Sequence, residues 1–206
     1  MPIEKSKIVL AVAWVAIIAC LSCREAANSK TAVATRRSEG KQSISLAGEW
    51  FFQLDCDDVG EQQNWRSARF PERIALPGST GENGFGDDIT VDTKWTGQIV
   101  DRSWFTDAKY EKYRQSGSVK IPFWLTPLKH YVGPAWYQRR IDVPQNWKDK
   151  RIILFLERCH WETKVWVDGA AAGMQDSLCT AQFHDLTSLL TPGRHLLTIR
   201  VDNSMK

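Results

Sequence analysis

Apolar residues in this chain recur in short alternating runs separated by turn residues, and almost nowhere at the three-to-four spacing of an amphipathic helix. Trp50, Phe52 and Leu54 share one face of a strand while Phe51 and Gln53 share the other, so the first face is expected to enter the core. Ile74–Leu76 reads as a brief strand stopped by Pro77-Gly78, and Trp136–Val143 as a strand running into Pro144. Arg151-Ile152-Ile153-Leu154-Phe155-Leu156 is a continuous apolar run, as in a strand covered on both faces. Lys164–Val167 is a strand meeting Asp168-Gly169, a dipeptide suited to the positive φ angles of a tight hairpin turn. Gln182–Asp185 reads as a short strand and Leu186–Leu190 as a helical turn. Thr191-Pro192-Gly193 then turns into a last strand, in which Leu197, Ile199 and Val201 alternate with Thr198 and Arg200, a pattern predicting one buried face. Many short strands with hardly any helix predict an all-β chain, a β-sandwich of jelly-roll type.

The pattern breaks between about residues 79 and 131, which carry several glycines and little alternation. One short helix is predicted there, from Ala108 to Gln115 with Thr106 or Asp107 as its N-cap. A long excursion inside a compact β domain usually has a job, and this one holds many of the aromatics, among them Trp95, Trp104, Phe123 and Trp124. The polar segment Cys56–Phe70 is expected to form a loop with a helical turn near Gln62–Ser67.

The first residues follow a different rule. Lys5 and Lys7 precede an apolar run from Ile8 to Ala19, too short to span a bilayer but of the length of a signal-peptide core. Ile17-Ile18-Ala19-Cys20 is similar to a bacterial lipobox, which makes Cys20 the expected lipidation site, with Cys23 the second candidate and plain cleavage near Ala26-Ala27 the alternative. The organisation expected is therefore a signal peptide with lipobox over 1–23, a flexible spacer over 24–42 and one folded domain over 43–206. That predicts an exported lipoprotein, anchored through lipid to a bacterial envelope membrane, in the periplasm or at the outer membrane.

Composition narrows the chemistry. A net charge of +3 with basic residues scattered among acids, the largest groupings being Arg36-Arg37 and Arg139-Arg140, argues against a nucleic-acid surface. Cys20 and Cys23 lie at the end of the leader without a second pair at zinc spacing, and the four histidines show no ligand spacing, so neither metal nor cofactor is expected. Cys56, Cys159 and Cys179 are expected to be free thiols, mostly buried.

Three blocks carry a resemblance. Gly133-Pro134-Ala135-Trp136-Tyr137-Gln138-Arg139, Glu157-Arg158 through Val165-Trp166-Val167-Asp168-Gly169, and Gly193 through Asn203 together resemble the N-terminal sugar-binding domain of glycoside hydrolase family 2, the β-galactosidase and β-glucuronidase family. Leu46-Ala47-Gly48-Glu49-Trp50-Phe51-Phe52 resembles that domain's opening strand and Ala75-Leu76-Pro77-Gly78-Ser79 the loop after it. The resemblance implies a galactose-binding-domain-like jelly roll, and typical members are shorter across the irregular insertion.

It also implies where catalysis resides. Glycoside hydrolysis needs two carboxyl groups across the scissile bond, and in the family both are glutamates on a TIM barrel C-terminal to this domain, the acid/base following an Asn. This chain has no Asn-Glu dipeptide, and Glu82-Asn83 has the reverse order, so no catalytic residue is expected here. Family members bring polar residues to the rim of the barrel's site from the loop after the Pro-Gly turn and from the segment after the last strand, here Glu82, Asn83, Asp202 and Asn203.

Sugar recognition rests on aromatic faces that stack on pyranose CH groups and on polar groups that satisfy hydroxyls. Of the ten tryptophans, Trp50, Trp136 and Trp166 sit in strands and are expected in the core, while Trp95, Trp104 and Trp124 in the insertion are the candidate platforms or domain contacts. His160 is expected to be a hydrogen-bonded structural residue, and Glu157 and Arg158 to pair with charges on a neighbouring strand. The reading is an accessory domain of an exported enzyme acting on terminal β-linked sugars, most simply β-galactosides, with carbohydrate and a barrel as partners. The alternatives are a stand-alone surface carbohydrate-binding lipoprotein and a purely structural docking module.

Overall fold

The computed structural model describes residues 42–122 and 124–205, and residues 7–11 for their backbone. Its strands are β1 (Lys7–Ala11), β2 (Gly48–Leu54), β3 (Glu72–Leu76), β4 (Pro134–Val143), β5 (Arg151–Leu156), β6 (Glu162–Val167), β7 (Ala170–Asp176), β8 (Gln182–Asp185) and β9 (Gly193–Asp202). They form a six-stranded antiparallel sheet in the order β3-β2-β4-β9-β6-β7 and a three-stranded sheet in the order β1-β5-β8, in which β1 joins β5 in parallel. The expected leader, Cys20, Cys23 and the expected spacer as far as residue 41 lie outside the described residues, save that Lys7–Ala11 form β1.

One apolar cluster fills the sandwich, with Trp50 and Phe52 from β2, Ile152, Leu154 and Leu156 from β5, Val165 and Val167 from β6, and Leu197 and Ile199 from β9. These are the inward positions that period-two alternation selects, and each large side chain contributes about 2–3 kcal/mol by leaving water.

The other face of the six-stranded sheet is covered as well. The segment after β2 folds across it, so that Trp136 on β4 and Trp166 on β6 are sealed with Phe70 into a second cluster, their rings stacked 5.2 Å apart. Asp55 locks this cover: one carboxylate oxygen accepts the backbone N–H of Val59, and the other accepts Gly60 N–H at 2.9 Å and Trp136 Nε1–H at 2.8 Å. Gly60 is required by close approach, since a Cβ there would lie 2.5 Å from Trp136 Nε1. All three strand tryptophans are therefore core, but β9 is not half-exposed as its alternation predicts. Thr198 and Arg200 are as buried as Leu197 and Ile199, because a loop rather than solvent lies over them.

The β6–β7 hairpin forms as predicted, with Asp168 at φ 49° and Gly169 at φ 82°, both in the left-handed region that a two-residue hairpin turn needs. Asp168 also ties the turn to β9, accepting Leu196 N–H at 2.7 Å and meeting His195 Nδ1 at 2.6 Å. Burial pushes the Asp168 carboxyl up, but those two bonds outweigh it and hold it below the usual range. Strand β7, Ala-Ala-Ala-Gly-Met-Gln-Asp, has no apolar alternation and is not signalled by sequence. Its Gln175 side chain imitates a backbone, accepting Phe183 N–H and donating to Phe183 C=O, and so joins the edges of the two sheets.

The stretch between β3 and β4 is irregular as expected, but its helix is a 3-10 helix over Ala108–Tyr113, shorter than Ala108–Gln115. Asp107 caps it by accepting Lys109 N–H at 2.9 Å. Three expectations about single residues fail. Glu157 and Arg158 pair loosely with each other at 4.0 Å, because both lie in the β5–β6 connection rather than opposite another strand. His160 in the same connection is exposed, its ring 5.3 Å from that of Trp161. The three described cysteines are free, but Cys56 and Cys179 are exposed because both sit in loops.

Candidate functional site

The rim candidates come from two loops that border one segment. Gly81, in the turn carrying Glu82 and Asn83, packs against the Lys129 backbone, and the Asn203 carboxamide accepts Gly133 N–H at 2.7 Å and donates to Tyr131 C=O at 3.0 Å. The segment Lys129–Gly133 thus stands between them.

Their polar atoms are largely committed to the fold. Asn83 accepts Ala75 N–H at 3.0 Å and donates to Ser79 C=O at 2.9 Å, stitching the turn after β3. Glu82 accepts Ser79 N–H at 3.0 Å, while the Ser79 hydroxyl accepts Glu82 N–H, a reciprocal pair that holds the loop. Asp202 is buried and accepts Ser204 N–H at 2.9 Å. Glu82 alone among the four is exposed, so the group holds its loops more than it presents ligands to solvent.

The tryptophans of the insertion divide. Trp104 is not a platform: it is 1% exposed, buried with Ile99, Val119 and Ile121 in a small core of the insertion's own, its Nε1–H donating to Lys120 C=O at 3.1 Å. A chain stretch lacking strands needs apolar side chains to organise it, and the largest one is spent there. Trp95 and Trp124 stay half-buried and meet edge to face at 5.6 Å, and Trp95 stacks on His130 at 4.9 Å with ring planes 17° apart. Leu125 and Leu128, which follow Trp124 in the chain, are exposed, and the half-buried rings have faces suited to sugar CH groups or to another protein surface. Phe123 lies outside the described residues. An open cleft of about 570 Å³ adjoins the insertion's core, lined by Ile89, Thr90, Val91, Arg114, Ser118 and Leu128.

The insertion is braced by Asp101, which accepts bonds from Ser103 N–H, from the Ser103 hydroxyl at 2.6 Å and from the Tyr110 phenol at 2.9 Å. The Ser103 and Tyr110 bonds hold its carboxyl below the usual range.

Sequence reasoning missed the main electrostatic feature. Arg200 on β9, its side chain 4% exposed, lies among four carboxylates: Asp58 at 2.7 Å, Glu162 at 3.2 Å, Asp202 at 3.4 Å and Glu61 at 3.6 Å. Burial alone would favour loss of its proton, but the acids outweigh that and raise its pKa. The signal available was the run of polar residues within β9, Thr198, Arg200 and Asp202, on one face of a strand otherwise apolar.

Glu162 and Asp202 are register partners on neighbouring strands, yet they are not a hydrolytic pair. A glycosidase holds its carboxyls roughly 5 to 9 Å apart across an open site, whereas both of these are buried and share one guanidinium. Among the described residues, no group of three or more His, Cys, Asp or Glu side chains is placed to hold a metal ion. Burial pushes the Cys159 thiol up to about 12, which removes it as a nucleophile.

Residues 44–206 match the family model described as "Glycosyl hydrolases family 2, sugar binding domain". A β-glucuronidase from Paenibacillus borealis is 24% identical over 160 residues, covering 77% of this chain and 20% of its own. A β-galactosidase from Arthrobacter sp. (strain B7) is 27% identical over 173 residues, covering 77% of this chain and 16% of its own. Among solved structures, a Ruminococcus gnavus β-glucuronidase superposes with a TM-score of 0.54 at 19% identity, over 79% of this chain and 21% of that one, a likeness of fold. The chain thus spans about a fifth of the length of these relatives.

Proposed function

Because the chain belongs to glycosyl hydrolase family 2 through that family's sugar-binding domain, we propose that it is the accessory module of an exported enzyme that hydrolyses terminal β-linked sugars. In this reading it does not hydrolyse them itself. Its six-stranded sheet and the Lys129–Gly133 rim buttress a TIM barrel that supplies both catalytic glutamates, and Cys20 carries the lipid that holds the assembly at a bacterial envelope membrane. The observation that carries the reading is the family match over residues 44–206, in a chain whose converging buried acids surround an arginine instead of a cleft. The relatives are called β-glucuronidase and β-galactosidase, so glucuronides and galactosides are the two substrate classes to test. Reading the gene beyond the codon for Lys206 is the direct test: an in-frame barrel with an Asn-Glu acid/base motif is expected, and a different kind of domain there would refute the proposal.

The patch formed by Trp95, Trp124 and His130 favours a second reading, a carbohydrate-binding lipoprotein that acts without an enzyme. It requires affinity for an oligosaccharide that is lost in Trp95→Ala and Trp124→Ala, and flat calorimetric titrations across a glycan panel would exclude it.

A further inference from the structure

We propose that the open cleft of the insertion, with the basic margin leading out of it, binds the acidic groups of an anionic oligosaccharide. Its volume of about 570 Å³ lies within the range of about 300–1,000 Å³ usual for small-ligand sites. Two cations line it, Arg114 and Lys120, together with Thr90, Ser116, Ser118 and the aliphatic Leu128. Asp88, the acid among the lining residues, is paired with Lys129 at 2.8 Å. The Arg114 guanidinium is held in place, its Nη1 donating to the Trp104 C=O and to the Asp107 C=O at 3.1 Å. Fixed through one nitrogen, it keeps its other N–H donors for an oxyanion, and the planar fork matches two oxygens of a carboxylate or a sulfate ester.

Positive charge is concentrated at this margin. From Arg102 to Lys120 there are five basic residues, Arg102, Lys109, Lys112, Arg114 and Lys120, against Asp107 and Glu111, an excess equal to the +3 of the whole chain. Among the described residues, Lys109 is the one of the five in an ion pair, with Asp107 at 3.2 Å. Three of the cations lie against rings: Arg102 Cζ is 5.3 Å from the Phe105 ring centre, Lys109 Nζ 4.8 Å from that of Tyr110 and Lys112 Nζ 4.9 Å from that of Tyr113. Lys120 joins this stretch to the cleft, its N–H donating to Tyr113 C=O at 2.9 Å. Cations spaced along a surface and backed by rings suit a polyanion, and the hydroxyls in the cleft suit its neutral OH groups. That the acid groups are borne by a sugar rests on the family reading; that the ligand is anionic rests on the cleft. All of these groups come from residues 88–129, so the arrangement does not depend on where the chain ends.

Isothermal titration calorimetry on the full chain tests this, with trigalacturonate as the carboxylate probe and a κ-carrageenan tetrasaccharide as the sulfate probe. Binding of at least one is expected, weakened by salt and absent with methyl-esterified trigalacturonate and a neutral agarose tetrasaccharide; the probe that binds identifies the acid group. Lys120→Gln should weaken that binding about tenfold, the low end of what a charge-assisted hydrogen bond contributes. The backbone bonds of Lys120 do not involve its side chain, so this variant keeps the local fold. Arg114→Gln, which also releases the Trp104 and Asp107 carbonyls, is the second variant, with near-ultraviolet circular dichroism checking its fold. Acidic and neutral probes bound alike, no binding of either acid, equal affinity for an oligothymidylate, or binding indifferent to both variants would overturn the proposal. If the gene continues past Lys206, the same titration on the longer product should show the same discrimination, and its loss there would overturn the proposal too. Flat titrations leave the accessory reading standing, because that is decided by the sequence beyond Lys206.

Discussion

Replacing Arg200 by Met isolates the electrostatics of the covered sheet face. The guanidinium is 4% exposed, and its partners fall into two classes: Asp58 and Glu61, with side chains 64% and 40% exposed, and Glu162 and Asp202, with side chains 8% and 7% exposed. The exposed pair lose a surface contact worth about 0–1 kcal/mol. The buried pair keep their charges on adjacent strands without the cation between them, and removing one partner of a buried ion pair costs about 3–5 kcal/mol. Arg200→Met should therefore destabilise the domain by about 4 kcal/mol, read as a fall in the urea midpoint at unchanged slope. Adding Glu162→Gln and Asp202→Asn should recover most of the loss, since the loss of the guanidinium between two buried carboxylates, rather than lost packing, is the cause. A loss below about 1 kcal/mol for the single variant, or no recovery in the triple, would refute the reasoning.

Three further outcomes follow from the same geometry. His184 is buried on β8, with Nε2 2.9 Å from the Thr163 hydroxyl, and burial pulls its pKa down to about 4. The unfolded chain takes up that proton near pH 6.5, so this contribution is complete above about pH 6.5 and is lost as pH falls toward about 4. The full shift corresponds to at most about 3 kcal/mol, and solvent screening reduces the expected loss to about 1–2 kcal/mol; His184→Gln should flatten the pH dependence of the urea midpoint, and an unchanged slope would contradict it. Gly60→Ala puts a Cβ 2.6 Å from the Asp55 carboxylate and should cost about 1–3 kcal/mol, with a shift in tryptophan emission as the Trp136 bond is disturbed. Trp104→Ala should loosen the insertion while the sandwich holds, seen as faster amide exchange over residues 99–121 with protected β4 and β9, and uniform loss of protection would show that the two cores are not separate.

Sequence revealed the parts of the fold whose side chains face one environment consistently. The alternation of Trp50 and Phe52, the apolar run of β5 and the Asp168-Gly169 turn each dictate local geometry by themselves, and each forms where expected. What stayed hidden depends on residues far apart in the chain. The half-buried reading of β9 failed because a loop a hundred or more positions upstream lies over Thr198, whose hydroxyl donates to Arg66 C=O. Strand β7 was silent because Ala, Gly and Met carry no period, and it is placed by its ladder with β6 and by Gln175. At the candidate rim, sequence named Asn83 and Asn203 through resemblance but not that both are consumed in holding loops. Trp104 and Trp95 looked equivalent in composition, and only packing separates a core indole from a surface one.

On the proposed function, this domain assists glycoside cleavage without performing it. Incubating the purified chain with chromogenic β-galactoside and β-glucuronide tests it most directly. No release of chromophore above buffer is expected from either substrate. Steady turnover that disappears when a carboxylate of this chain, such as Glu82 or Glu162, is replaced by its amide would contradict it.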